Sequence, residues 1–423
     1  MDTISTEIKA RIMLNRKRLL GEYYQLPTLF PGDPKWPGDK EGRVLLAFVS
    51  HYKIDGYEDP SMHKLVQKIP EHTNEKYFFG PEICETIVEQ QLSGHSWYLR
   101  GLCEYYEQFG GVQVREILQS TVENLYYPTI GRYCTYPIDR SQDKEGGVSG
   151  HSGDEQNGWL LSTDIGCAFM SIDGLSHYYK LSGDAKTKAL LDEMIEVFCA
   201  IDKKKLKAQT HCSLTAARGM VRMYAQTGEE NYLKCAKDIF SLYIDSGMTY
   251  TYHNFNWWGK GDTWTEPCAI VDSAMLAGEL FQITGETCYK TLLARIFHNA
   301  FATLQRDNGG AGCESTVSRT THTLSMKLYE AYFCCTMRLA EGLWYLSENQ
   351  TLLTPNITGK VKKDRIGRYM DGDILYTELV PAMLPYAQMD AMRSADGKTL
   401  VPLIKMYHVP KDLAEKLEQR IIF

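Results

Sequence analysis

Four stretches of this chain share one pattern. They are "GLCEYYEQFGG" (101–111), "GLSHYYKLSGD" (174–184), "GMVRMYAQTGE" (219–229) and "AGELFQITGET" (277–287). Each closes an apolar run of helical period on a glycine, the residue that takes the positive φ of a helix C-terminus without strain. After the last three glycines a second amphipathic run begins: "AKTKALLDEMIEVFCAI", "NYLKCAKDIFSLYI" and "CYKTLLARIFHNAFATL". In the last of these, Leu292, Leu293, Ile296, Phe297 and Phe301 fall on one helical face. The glycines Gly110, Gly183, Gly228 and Gly285 stand 73, 45 and 57 residues apart. Helical hairpins repeated at such spacing build either a linear solenoid or a closed ring. A solenoid holds a tighter period and lacks long loops. Here two long loops rich in Gly, Trp and His interrupt the pattern, "SQDKEGGVSGHSGDEQNGW" (141–159) and "TYHNFNWWGKGDTWTEPC" (251–268). The expected fold is therefore all-α, an (α/α)6 toroid of helical hairpins with these loops at its mouth.

The ring is expected to occupy 1–345. From about 346 the texture changes. "GRYMDGDILYTELV" and "GKTLVPLIKMYHV" read as short strands bounded by Gly and Pro, and "KDLAEKLEQRI" reads as a closing helix. This tail, 346–423, is too short for a β-sandwich of about 100 residues, so it reads as a small β-containing appendage.

Charge narrows the function. Forty-six basic residues stand against 53 acidic ones, a net charge of -7, with no long basic run. The electrostatic footprint of a nucleic-acid binder is missing. "MDTISTEIKARIMLNRKRLL" has no apolar core of a secretory signal, and no run of ~18 apolar residues exists to span a membrane. Twelve scattered cysteines without an export signal suggest reduced thiols in the cytoplasm. The 27 tyrosines, 14 phenylalanines and 7 tryptophans fit a large core, and equally a pocket that stacks on sugar rings.

Candidate chemistry gathers in two places. In "TWTEPCAIVD", Glu266 and Cys268 precede an apolar helical run; in "EAYFCCTMRLAEGL", Cys334 and Cys335 are adjacent. Neighbouring cysteines bridge each other poorly, but both can bind one ion. Three thiolates and a carboxylate suit tetrahedral Zn²⁺. The other reading is buried core cysteine, since free Cys is among the most buried residue types and E-x-C plus CC is no standard finger spacing. Four protein ligands would close the metal to water, as in structural sites. Chemistry there would fall to one of the thiolates, which metal binding keeps deprotonated.

The run "TEPCAIVDSAMLAGELFQITGETCYKTLLARIFHNAFATL", with "CCTMRLAEGL" beginning 66 residues after Cys268, resembles the family 127 and 146 glycoside hydrolases, enzymes of β-L-arabinofuranosidase type. "KWPGDKEGRVLLAF" (35–48) is similar to their W-x-G-D-x-x-G-R segment. The resemblance implies an (α/α)6 barrel with zinc held by Glu266, Cys268, Cys334 and Cys335. It implies a cysteine nucleophile, assigned here to Cys334, and retention of configuration through a glycosyl-thioether. Retention also needs a general acid/base. The family carries a G-E glutamate upstream of its E-x-C; the corresponding position here is Tyr250, and "MTYTYHNFNWWGKGDTW" holds no glutamate. The substitutes within reach are Asp262, His253 and, from another loop, Glu314. Asp262 also reads as a turn residue in "KGDT", His253 as a loop histidine, and Glu314 as a helix cap.

His95 and His211 each open an inner-helix pattern, where the family places sugar-contacting histidines; the plainer reading is capping or packing. Trp36 could serve as a sugar platform, with Asp39 and Arg43 contacting hydroxyls, or Asp39 and Arg43 could simply pair at a helix start. Trp258 and Trp264 read as pocket walls or as core. The expected partner is a small plant-type oligosaccharide, and the short tail leaves open whether the second subunit of a homodimer completes the pocket. Two further classes stay open. One is a catalytically inactive, zinc-stabilised sugar-binding or scaffold toroid. The other is a toroid epimerase or unsaturated-uronide hydrolase whose zinc is structural.

Overall fold

The computed structural model describes residues 3–30, 32–140, 150, 152–249, 251–259, 263–313, 329–360, 362–363 and 369–375. The chain forms two compact units, Arg16–Ser241 and Met1–Asn15 with Leu242–Phe423. Helices dominate both. They are α1 (Thr3–Leu19), α2 (Asp39–Asp55), α3 (Met62–His72), α4 (Glu89–Phe109), α5 (Val112–Thr121), α6 (Ser171–Ser182) and α7 (Ala185–Ala200). The series continues with the short α8 (Lys203–Leu206), α9 (Thr210–Thr227), α10 (Glu230–Leu242), α11 (Pro267–Thr284), α12 (Thr287–Ile296), the single turn α13 (Ala302–Leu304) and α14 (Cys335–Glu348).

The glycine punctuation is realised at all four predicted hairpin ends. Gly110, Gly183, Gly228 and Gly285 have φ between +64° and +73°. Each donates its N–H at 2.8 Å to the carbonyl four residues back, on Tyr106, Tyr179, Tyr224 and Phe281. At Gly183, Gly228 and Gly285, which are left-handed, a side chain would cost about 1–2 kcal/mol, because that region drives Cβ toward a carbonyl.

In the Arg16–Ser241 unit, α2 packs on α4, α4 on α6 and α6 on α9. Glycines set the closeness of these crossings. A Cβ on Gly42 would lie 2.2 Å from the Tyr98 backbone nitrogen, one on Gly174 2.7 Å from the Ser96 carbonyl, and one on Gly219 2.6 Å from the Ile172 carbonyl. The obstacles to Gly42 are backbone atoms, which cannot rotate away. Gly42→Ala should therefore cost about 3 kcal/mol of overpacking, exceeding the roughly 1 kcal/mol that alanine gains in helix propensity. Urea unfolding should show a lower midpoint at unchanged slope; an unshifted midpoint would mean α2 and α4 can separate cheaply.

Buried charge ties the same helices together. Arg100 reaches Asp173 at 3.0 Å and Glu104 at 3.1 Å, Lys53 reaches Glu104 at 2.8 Å, and Arg222 reaches Asp173 at 2.8 Å. Burial works to raise the Asp173 pKa, but the guanidiniums of Arg222, Arg100 and Arg218 outweigh it and hold the carboxyl well below its ordinary range.

In the other unit, α11 packs on α12 and α14. The helix after Gly285 is regular only to Ile296 and then widens into a π-helical turn, Phe297–Phe301. The widening rotates the predicted face: Leu292 is only half-buried, whereas Leu293, Ile296, Phe297 and Phe301 are buried.

The sheets are small. Part of the first long loop is a β-hairpin, Ser152–Gln156 with Trp159–Ser162, beside a parallel strand Ile87–Val88. The hairpin turns on Asn157 and Gly158, both at positive φ, the pair a two-residue hairpin favours. Gly312–Cys313 pairs with Tyr329–Glu330. In the tail, Lys362–Lys363, Tyr369–Asp371 and Ile374–Leu375 form an antiparallel sheet. The predicted strand in "GKTLVPLIKMYHV" and the closing helix lie outside the described residues. Among the described residues no helix is long and apolar enough to cross a membrane.

Candidate metal centre

Helices α11 and α14 begin side by side, and both starts carry thiols. Glu266 is the residue before α11, Pro267 opens it, and Cys268 follows. Cys334 is the residue before α14 and Cys335 is its first member. The Cys268 and Cys335 sulfurs lie 3.3 Å apart, as do those of Cys334 and Cys335. One donor atom from each of Glu266, Cys268, Cys334 and Cys335 falls within 4.8 Å of all the others. Sulfurs of a disulfide would be about 2.05 Å apart. Thiolates sharing one tetrahedral zinc would be about 3.8 Å apart, from a Zn–S length near 2.3 Å. The observed 3.3 Å lies between the two, far too long for a disulfide, and the donor set of three thiols and a carboxylate fits zinc.

The neighbouring loops hold this geometry. Asn254, fully buried, accepts the Glu266 N–H on its Oδ1 at 2.9 Å, while its own carbonyl accepts the Thr265 hydroxyl at 3.1 Å. Thr336 donates its hydroxyl to Glu330 at 2.9 Å and accepts the Ala311 N–H at 3.0 Å. The Asn15 amide reaches the Thr336 and Gly309 carbonyls, both at 3.1 Å. Asn254 and Thr336 escaped the sequence reading because their sole signal is proximity to the ligands. Cys268 and Cys335 are buried, and Cys334 is half-buried.

The other predicted residues sort by burial and bonding. His253 has Nδ1 2.7 Å from the Thr251 hydroxyl and Nε2 2.9 Å from the Thr303 hydroxyl. Desolvation pushes its pKa down to about 4, so the ring is neutral at physiological pH. Trp264 packs edge-on against Trp257, and Trp258 against Tyr243; both are buried, the core alternative. Asp262 and Glu314 lie outside the described residues.

In the Arg16–Ser241 unit, Asp39 opens α2 and accepts the Arg43 Nε–H at 2.8 Å, the pairing foreseen as the plainer alternative. Burial raises the Asp39 pKa in spite of Arg43. The Arg43 guanidinium lies 4.0 Å over the Trp97 ring, and Trp97 stacks on His211 with centroids 5.9 Å apart. Trp97, absent from the sequence candidates, thus joins Arg43 to His211. His95 is fully buried: Nδ1 donates to the Gln91 carbonyl at 2.8 Å and Nε2 accepts the Phe79 N–H at 3.0 Å. Both ring nitrogens are committed to backbone, the packing role. Trp36 is half-buried, its Nε1 beside Gly150. A second donor set, Glu104, Glu107 and His177, is occupied by Lys53, Arg100 and Lys180 and works as an ion-pair network.

No family model matches the sequence, and no curated protein matches it. Solved structures do match in fold. A family 127 β-arabinofuranosidase superposes with TM-score 0.51 at 12% identity, over 81% of this chain and 57% of the other. A family 76 α-mannanase from Bacteroides thetaiotaomicron gives 0.52 at 10%, over 84% and 98%. A sugar epimerase from a ruminal bacterium gives 0.51 at 12%, over 82% and 99%. The chain has the (α/α)6 toroid fold. It spans 57% of the arabinofuranosidase's length, and identities this low speak for fold alone.

Proposed function

We propose that the chain is a zinc-dependent, retaining glycoside hydrolase related to family 127, with Cys334 as nucleophile and small plant-type, β-L-arabinofuranoside-like oligosaccharides as substrates. The observation that carries this is the convergence of Glu266, Cys268, Cys334 and Cys335 at two helix starts, with Cys334 the half-buried cysteine of the three. Bound zinc would keep these thiols deprotonated at neutral pH. The Cys334 sulfur then attacks the anomeric carbon as the glycosidic C–O bond breaks and the leaving oxygen takes a proton. Water displaces the thiolate from the same carbon in a second inversion, restoring the configuration. Cys268 and Cys335, deeper in the protein, serve as ligands. His253, neutral and held by two threonines, stands beside Asp262 and Glu314 as a candidate for the acid/base role.

Elemental analysis should find about one zinc per chain. Because ligand-set binding energy adds to folding energy, chelation should lower the melting temperature by about 5 °C or more. Metal-free protein with an unchanged melting temperature would remove zinc from the reading.

A second reading is a toroid sugar epimerase with a structural zinc. The ruminal epimerase is matched over 99% of its length, against 57% for the arabinofuranosidase. Screening synthetic furanosides and pyranosides for hydrolysis, and free sugars for epimerisation, separates the two.

A further inference from the structure

Among the described residues most aromatic side chains are buried or half-buried. Of the Trp, Tyr and Phe side chains among the described residues, those that are exposed are Tyr332 (45%) and Phe333 (46%). They sit directly before Cys334, and their rings meet edge-to-face with centroids 5.5 Å apart. The backbone makes this placement firm. Ala331 accepts the Cys334 N–H at 3.3 Å and the Thr336 N–H at 3.2 Å. Tyr332 and Phe333 are thus the two corner residues of a tight turn that delivers Cys334 to the start of α14. Ala331 itself is buried, and its N–H is tied to the Ala311 carbonyl at 2.9 Å. A turn anchored at both ends and carrying two large apolar rings in water exposes surface that folding alone would have buried.

We propose that Tyr332 and Phe333 form a stacking platform for the sugar bound at Cys334, contacting the apolar C–H face of the saccharide and setting its approach to the thiol. Aromatic rings supply a large, rigid contact with few rotamers to freeze, which suits a ligand that is polar at its rim and apolar on its face. The tyrosine adds a hydroxyl that can reach a sugar oxygen. This inference rests on the sugar-acting reading above and goes beyond it by naming the residues that hold the substrate.

The test uses the full chain loaded with zinc. Binding of methyl β-L-arabinofuranoside, and of methyl glycosides from the same furanoside and pyranoside panel, is followed by saturation-transfer NMR, and steady-state kinetics are measured where turnover occurs. Helix content and bound zinc are measured for every variant. Phe333→Ala and Tyr332→Ala should each weaken binding and raise KM about tenfold, the loss of roughly one stacking contact. Phe333→Trp should keep wild-type affinity, whereas Phe333→Leu, apolar but not aromatic, should fall toward the alanine value. Where an alanine variant loses helix content or zinc, the leucine and tryptophan variants decide. Wild-type protein that binds these sugars while Phe333→Leu binds equally well would overturn the platform and leave the sugar-acting reading standing. Zinc-loaded wild-type protein that neither binds nor turns over any member of the panel would overturn both.

Discussion

Cys334→Ser is expected to reduce glycoside turnover by about a thousandfold or more, the scale on which removal of a covalent nucleophile acts. The serine hydroxyl, unlike the thiol, is not ionised near neutral pH and is a weak nucleophile. The control is Cys288→Ser, on an exposed cysteine at the start of α12, which should leave turnover within a factor of about two, as surface changes usually do. A cysteine-directed furanoside mimic should add its mass to the wild type and to Cys288→Ser but not to Cys334→Ser. Turnover that survives in Cys334→Ser would shift the assignment to the epimerase-type reading, in which the thiols only hold metal.

The largest expected loss of stability comes one helical turn below the thiols. Asp272 lies four residues after Cys268 on α11, and Arg338 lies four after Cys334 at the head of α14. Their side chains are ion-paired and buried, and Glu341 also pairs with Arg338. The pair fixes the register of α11 against α14, and with it the spacing of the donors above. Asp272→Ala removes one carboxylate from the buried guanidinium. Breaking a buried pair from one side costs about 3–5 kcal/mol, against a total stability on the order of 5–15 kcal/mol. Thermal unfolding should shift down by about 3–6 °C. Zinc content should fall with it, because the donors lose their common frame. Asp272→Asn, which keeps a hydrogen-bond acceptor, should lose less. A melting shift under about 2 °C in Asp272→Ala would show that the helices are held mainly by apolar packing.

The hairpin rhythm of the toroid was legible from four glycines, because a helix C-terminus asks for a local backbone state that glycine alone reaches cheaply. The hairpin at Asn157-Gly158 was also written in the sequence as a turn pair, but lay hidden inside a stretch read as a loop. The π-turn at Phe297–Phe301 carried no such mark; it follows from how α12 packs. At the site, residue type and order already named Glu266, Cys268, Cys334 and Cys335, since few other arrangements make sense of adjacent thiols. Which cysteine is the less buried was not readable from order. Cys334 and Cys335 differ by one step, and that step carries the chain from an exposed turn into a buried helix.

The same division holds for the aromatic candidates. Composition offered 48 aromatic residues and no way to choose among them. Trp258 and Trp264, drawn forward by their loop, are core; His95 spends both nitrogens on backbone; Asp39 and Arg43 satisfy each other; Tyr332 and Phe333 stand exposed. The sequence by itself determined the helical repeat and the donor set, because backbone conformation and metal chemistry are properties of residue types. Burial, pairing and exposure depend on which surfaces meet after the helices pack, and only the tertiary structure decided those.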